Sequence, residues 1–272
     1  MVVTAKDHCA REPTVSEDEL RLENVHDGPA GEFAAAGRRW LGRRGMRLTL
    51  HPHTGGWVEH MRQAPQTDGL NPTFDPAHNP ISAGDAFWLA VRDEGDEVAG
   101  CVAARLLVTP DFVGMIRSLR LWYDPVPDAL AVPDPPALTG GAVPDRPALT
   151  GDLGISGRVG HFGGLWIHPA HRVGTVSRLL VHFLVRAARL AALDRFGSAW
   201  ETSVSFHRLA SRPAFRAALG FEHVLPCHDG YFPPTGRVEN VHLNYSAPGH
   251  ILRIVARTTE ALRADDCARS AT

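Results

Sequence analysis

The chain has 272 residues, with 28 Lys and Arg against 30 Asp and Glu for a formal net charge of −2, and is 44% hydrophobic and 21% charged. These proportions fit an ordinary globular protein, long enough for one large domain or two small ones. The near-neutral balance supplies no positive field for nucleic acid, and no apolar run approaches the roughly 20 residues of a membrane span.

Residues 1–45 read as a polar leader, acidic first and then Arg-rich at Arg38, Arg39, Arg43, Arg44 and Arg47, with a short helix near Phe33 to Leu41. The patch reads as a solvated basic face in preference to an RNA contact. The opening MVVTAKDHCAREPTVSEDEL lacks the basic-then-apolar order of a secretory signal. Four separated cysteines, at 9, 101, 227 and 267, form no C-x-x-C pair, so reduced thiols in a cytoplasmic protein are expected.

Met46 to His51 alternates apolar and polar residues as a strand does. The runs Phe87 to Val91 and Val98 to Leu107, around the turn Asp93-Glu-Gly-Asp96, predict a β-hairpin, with a helix between it and the first strand. Residues 124–157 carry a near-duplicate, Val132 to Gly140 and Val143 to Gly151, whose prolines and glycines mark an inserted loop and not a stacking repeat. Val159 to His168 then reads as a buried strand ending at Pro169.

Val176 to Arg195 predicts a helix with Leu180, Phe183, Leu184, Ala187, Leu190 and Ala191 on one stripe and Arg178, His182, Arg186 and Arg189 opposite. A strand over Ser198 to Phe206, a helix from Leu209 to Leu219 stopping at Gly220, and strands from Phe221 and over Val241 to Tyr245 follow. Residues 250–263 predict a terminal amphipathic helix within a tail over 248–272. The order implies a mixed α/β sheet with helices on its faces.

The informative stretch is Gly164 to Leu180, an apolar strand that passes through Pro169 and a Gly-containing turn directly into the longest helix. Such a junction presents unpaired N–H groups and the positive end of a helix dipole, which together form an anion site, and Arg172 is placed to add a charge-assisted contact. Neither G-x-x-x-x-G-K-[ST] nor G-x-G-x-x-G is present.

This segment resembles the central motif of the GNAT superfamily of acyl-CoA-dependent N-acetyltransferases. The hairpin around Asp93 to Gly95, with Gly100 in its second strand, is similar to that family's second and third strands. Ala214 to Phe221 resembles its penultimate helix, which typically ends in Leu-Gly-Phe. The resemblance covers residues 46–247 apart from the 124–157 insertion, and it implies a mixed, mostly antiparallel sheet flanked by helices.

It also implies roles. His171, Arg172, Val173, Gly174, Thr175 and Val176 become the loop facing a CoA diphosphate. Here His171 stands for the usual Gln or Arg, and the β-branched Val176 takes the place of a small residue. An alternative alignment puts Arg172 at the basic position. Within the strand Leu165-Trp166-Ile167, the backbone N–H of Leu165, or of Ile167, would meet the oxyanion.

An attacking amine must first lose a proton, and His161, expected on the strand face of Gly163, Leu165 and Ile167, is the candidate base, against a purely structural histidine. Arg216 occupies the position of the family's thiolate-protonating Tyr, leaving Tyr231 or solvent. No metal is expected, since the pairs His168/His171 and His51/His53 lack further ligands. Cys227-His228 is adjacent only in sequence, and Glu201 is either a second base or an exposed strand carboxylate.

The expected activity is transfer of an acyl group, acetyl foremost, from acetyl-CoA to a primary amine on a small molecule or peptide, by direct attack in a ternary complex. The acyl-CoA would lie in the splay between strands 159–168 and 198–206. A homodimer is compatible with this reading. The alternatives are a non-catalytic acyl-CoA- or partner-binding domain, and an N-acyl amino acid or acyl-homoserine-type synthase using long acyl chains. The acceptor would be set by residues 52–85 and the insertion.

Overall fold

The turn at Asp93 fixes the register of the sheet. The Asp93 carboxylate accepts from the N–H groups of Gly95 (2.9 Å) and Glu97 (3.0 Å), and Asp96 takes a left-handed φ of 67°. Strands β2 (Ala86–Arg92) and β3 (Val98–Thr109) leave this turn antiparallel, and β1 (Arg47–His51) adds to the free edge of β2. The computed structural model describes residues 27–67, 69–82, 84–130, 153–247 and 249–270. The duplicated segment, residues 131–152, and the acidic start of the leader lie outside them.

Beyond β3 come β4 (Gly157–Ile167), β5 (Trp200–Phe206), β6 (His223–Phe232) and β7 (Arg237–Ser246), in the sheet order β1-β2-β3-β4-β5-β7-β6. Every neighbouring pair is antiparallel except β4 with β5. The fold is therefore a mixed, mostly antiparallel sheet flanked by helices, as expected.

Side-chain alternation divides the core between the two faces. Phe87, Leu89 and Val91 of β2 meet α4 (Gly174–Phe196), while Trp88 and Ala90 meet Trp57, Val58 and Met61 of α2 (Gly55–Gln63). A third cluster joins α3 (Phe112–Arg117) to the β5–β7–β6 side through Phe112, Trp122, Phe232 and Leu243. The single helix expected over 209–219 is two, α5 (His207–Ala210) and α6 (Pro213–Leu219), because Pro213 lacks the N–H that would continue the first.

Two readings of charge change in part. Arg38, Arg39, Arg43 and Arg47 of the Arg-rich patch are exposed, as a solvated face requires, but Arg44, in the turn after a full helix, α1 (Gly28–Gly42), is not; α1 docks on α7 (His250–Ser270). Arg44 lies over the Trp40 ring at 4.4 Å and pairs with Asp265 and Asp266, and Trp40 Nε1 donates to Asp265 at 2.9 Å. The α1–α7 pair closes over α4 within one core cluster.

Arg186 and Arg189, assigned by periodicity to the solvent face of α4, are buried. They hold the last turn of α6. Arg186 donates to the carbonyls of Ala217 and Ala218, and Arg189 donates to those of Leu219 (2.9 Å) and Gly220 (3.0 Å). Arg189 also pairs with Glu201 of β5 at 2.5 Å and lies over the Phe221 ring at 4.3 Å. Glu201 is thus a buried structural partner, neither exposed nor free to act as a base.

The Leu219-Gly220-Phe221 turn is accordingly built around a cation: Gly220 supplies the left-handed φ of 64°, and two carbonyls face the guanidinium. Removing one member of a buried pair strands the other charge, so Arg189→Met should lower unfolding free energy by about 3–5 kcal/mol in a denaturant melt. A loss under about 1 kcal/mol would show that the pair holds nothing.

Candidate active site

β4 and β5 are paired for four residues, Val159 to Phe162 against Trp200 to Ser203, and no further. β4 runs on to Ile167 and β5 to Phe206 along the β7 edge, so the two strands part. The cause lies in β4. Against β3, Gly163 pairs with Ala103 and Trp166 with Cys101, leaving Gly164 and Leu165 opposite Val102 alone. This is a β-bulge.

Gly164 takes φ 60°, and a Cβ there would lie 2.1 Å from the Trp57 ring. A Cβ on Gly163 would meet Phe74 at 2.6 Å. Only glycines allow the bulge to sit this close to α2 and the Pro72–Phe74 turn. The bulge removes Gly164 and Leu165 from both ladders, at the point where the sheet opens.

The bulge also shifts the strand's phase. His161 and Gly163 share the face of Phe74, but Ile167 joins Phe162 in the α4-side core and Leu165 packs against it. The expected common face of His161, Leu165 and Ile167 does not form, because simple alternation carries no extra residue.

The opening is a cleft of about 1030 Å³. One wall is Gly163 to Ile167, the other Ser203 to Phe206; Ser177 and Val181 of α4 and Phe215 and Leu219 of α6 line the helix side. Gln66, Thr67, Gly69 to Pro72, Trp122 and the β6–β7 tip (Phe232, Thr235, Arg237) line the opposite side. The loop after α2 is pinned by Trp166 Nε1 donating to the Pro65 carbonyl (3.1 Å) and Arg172 Nη1 to Gln66 Oε1 (2.8 Å).

At the end of β4 the chain turns through Pro169–His171 into α4. Arg172 lines the cleft and folds back onto the Ile167 carbonyl at 2.8 Å. Val173, at the N-cap, offers no side-chain acceptor, the first turn holds no acid, and Gly174 has φ 70° with open space beside it. The first N–H groups of a 23-residue helix therefore stay available to an anion. Val176, which stands where the resemblance has a small residue, packs toward the core. His171 is half-buried beside His168, and neither His171 nor Thr175 lines the cleft.

His161 is wholly buried, stacked on Phe74 (5.8 Å) and beside Phe112 (5.9 Å). Its Nδ1 bonds Thr202 Oγ1 at 2.9 Å, and Nε2 has no hydrogen-bond partner among the described residues. Burial, aided by Arg105, pushes its pKa down to about 3. An imidazole so placed is neutral and out of reach of an amine in the cleft. What it does reach is Thr202, its register partner on β5, three residues before the bulge begins at Gly164.

Tyr231 is 56% exposed and does not line the cleft, whereas its neighbour Phe232 does. Burial pushes the Cys227 thiol up to about 12, and His228 bonds the Tyr231 carbonyl instead, so the adjacent pair makes no reactive couple. Among the described residues no group of three or more His, Cys, Asp or Glu could hold a metal ion, and no helix is long and apolar enough to cross a membrane.

Sequence reasoning missed Asn71 and Arg237. Asn71 Oδ1 accepts from the Thr73 N–H (3.1 Å), and its Nδ2 sits where a Cβ on Gly163 would come within 3.1 Å. Its one signal was the turn-forming Asn-Pro dipeptide. The three charged side chains among the described lining residues are Arg172, Arg212 and Arg237, with no carboxylate and no histidine.

Fold and site together define a mixed-sheet protein whose parted strand pair opens beside an uncapped helix. No family model and no curated protein matches the chain. Among solved structures it is similar to a ribosomal-protein-S5-alanine acetyltransferase from Vibrio fischeri at 14% identity, with 61% of this chain and 63% of that one covered and a TM-score of 0.34. It is also similar to Arabidopsis thaliana NAA60 in complex with acetyl-CoA, at 11% identity over 74% of this chain and 99% of that one, TM-score 0.39. A probable GNAT-family acetyltransferase from Chromobacterium violaceum gives 11% identity, 92% and 97% coverage and a TM-score of 0.37.

The depressed histidines make stability depend on pH. His161 (about 3) and His182 (about 4), both lowered chiefly by burial, are neutral in the fold well below the unfolded value near 6.5. Below pH 6.5 the unfolded chain takes up protons that the fold refuses, so their contribution is complete above 6.5 and is lost as pH falls toward 3. Denaturation midpoints should fall steadily from pH 6.5 to 4, with a shallower slope in His161→Gln. Parallel slopes in the two proteins would contradict the assignment.

Proposed function

We propose that the chain is an acyl-CoA-dependent N-acyltransferase, moving an acetyl group from acetyl-CoA to a primary amine by direct attack in a ternary complex. The observation that carries this reading is the bulge: Gly164 and Leu165 stand outside both ladders, in a cleft that leads to the uncapped start of α4. The resemblance of Gly164 to Leu180 and of Ala214 to Phe221 to the GNAT superfamily supports it. On the same reading one acyltransferase domain over 46–247 works in the cytoplasm.

The N–H groups of the loop His171 to Val176 take the donor's diphosphate, with Arg172 beside them. Leu165, Trp166 and Ile167 line the path of the pantetheine arm. As the amine nitrogen bonds to the thioester carbon, the Leu165 N–H donates to the oxygen that gains charge. A fixed donor of this kind contributes roughly 10²–10³ in rate. The C–S bond then breaks, CoA leaves as the thiolate, and solvent supplies its proton.

His161 serves as a positioning residue: its bond to Thr202 fastens β4 to β5 where they begin to part. The amine's proton goes to water, since no described histidine or carboxylate lines the cleft. That same lack favours a second reading, an acyl-CoA-binding domain without turnover.

Thiol release from acetyl-CoA over an amine panel, with calorimetric titration of acetyl-CoA, separates the two. Tight binding with no release on any amine would sink the transferase reading, and release only from long-chain donors would mark a long-chain synthase. With no base among the described cleft residues, log kcat/KM should climb about one unit per pH unit from 6 toward the acceptor's own pKa. A plateau setting in near pH 7 would instead place a titrating base at the amine.

A further inference from the structure

Arg237 stands at the tip of the β6–β7 hairpin, paired in register with Phe232. Its parity on β7 is that of Val241 and Leu243, which pack with Trp122 and Phe232 on the sheet face opposite α4. Arg212, by contrast, lies at the start of α6, a helix that packs on α4. One cation therefore belongs to the far half of the cleft, away from the helix N-terminus.

That half has an aromatic floor. Trp122 and Phe232 meet edge to face at 4.9 Å, and Phe206 stands 6.3 Å from Phe232. The Arg237 side chain is 62% exposed, and among the described residues only its Nη2 is engaged, 3.3 Å from Glu239 Oε1. Glu239 steadies the guanidinium and leaves Nη1 and Nε to another acceptor. A guanidinium with donors to spare beside apolar rings suits a molecule carrying both a carboxylate and an apolar body.

We propose that the acceptor is an α-amino acid with an apolar or aromatic side chain, its carboxylate bound by Arg237, its side chain against Trp122 and Phe232, and its amine turned toward Leu165. This rests on the N-acyltransferase reading of the same cleft. The reaction joins the amino-acid nitrogen to the acyl carbon as the C–S bond breaks, giving an N-acyl amino acid and CoA, and the proton lost from nitrogen goes to water.

The test compares L-phenylalanine and L-leucine with their decarboxylated amines, phenylethylamine and isoamylamine, and with spermidine, reading thiol release from saturating acetyl-CoA. The amino acids should exceed their decarboxylated partners by about tenfold or more in kcat/KM. In Arg237→Met that ratio should collapse to about one through a raised KM, and Arg237→Lys should restore part of it. A ratio near one in the unaltered protein, a preference for spermidine, or a ratio unmoved by Arg237→Met would overturn the proposal.

Calorimetry of L-phenylalanine on the CoA-loaded protein keeps the two claims apart. Binding weakened about tenfold or more by Arg237→Met supports recognition even where no thiol is released, in which case the transferase reading alone fails. Absence of binding overturns the acceptor assignment, whatever other amines turn over.

Discussion

Between Phe162 and Gly163, β4 leaves its parallel partner, and the site follows from that separation. A parallel pair held along its full length would bury both strand edges in hydrogen bonds, leaving no free N–H and no entrance. One extra residue, accommodated by two glycines against Trp57 and Phe74, breaks the β3 ladder and turns the strand away from β5. Just before the break, the His161–Thr202 bond keeps the strands together, so the opening starts at a fixed place.

The far wall needs its own support, because a strand that has left one neighbour is free to drift. β5 is held from the other side by β7, and from below by Glu201 on Arg189. Arg189 also grips the end of α6, whose Phe215 and Leu219 line the cleft. One buried guanidinium thus ties α4, α6 and β5 together. The short loop after α2 is tied in turn to Trp166 and Arg172, so this side of the cleft is fastened to β4.

The strands, the long helix and the turn into its first residues were legible because each rests on periodicity or on a turn residue. The β4–β5 splay was legible through the family resemblance. The bulge was not, since Gly163 and Gly164 have no side chains to show a change of phase, and the expected face for His161 failed for that reason. The burial of Arg186 and Arg189 was hidden by the same rule that found the α4 stripe, because helical spacing reports which residues are polar and not what covers them. Arg44 was read as solvent-facing because its partners, Asp265 and Asp266, lie more than 200 positions away. Arg237 had no local pattern at all; only the hairpin brings it to the cleft.

Amide hydrogen exchange with and without acetyl-CoA tests the central claim most directly, since it reads the backbone groups on which the account depends. Protection should appear in two stretches, Gly163 to Ile167 and the first turn of α4 after Gly174, where on the proposed reading unpaired N–H groups would meet the thioester oxygen and the diphosphate. The β1–β2 strands should be unchanged. Protection elsewhere, or none in these two stretches at saturating acetyl-CoA, would contradict the account.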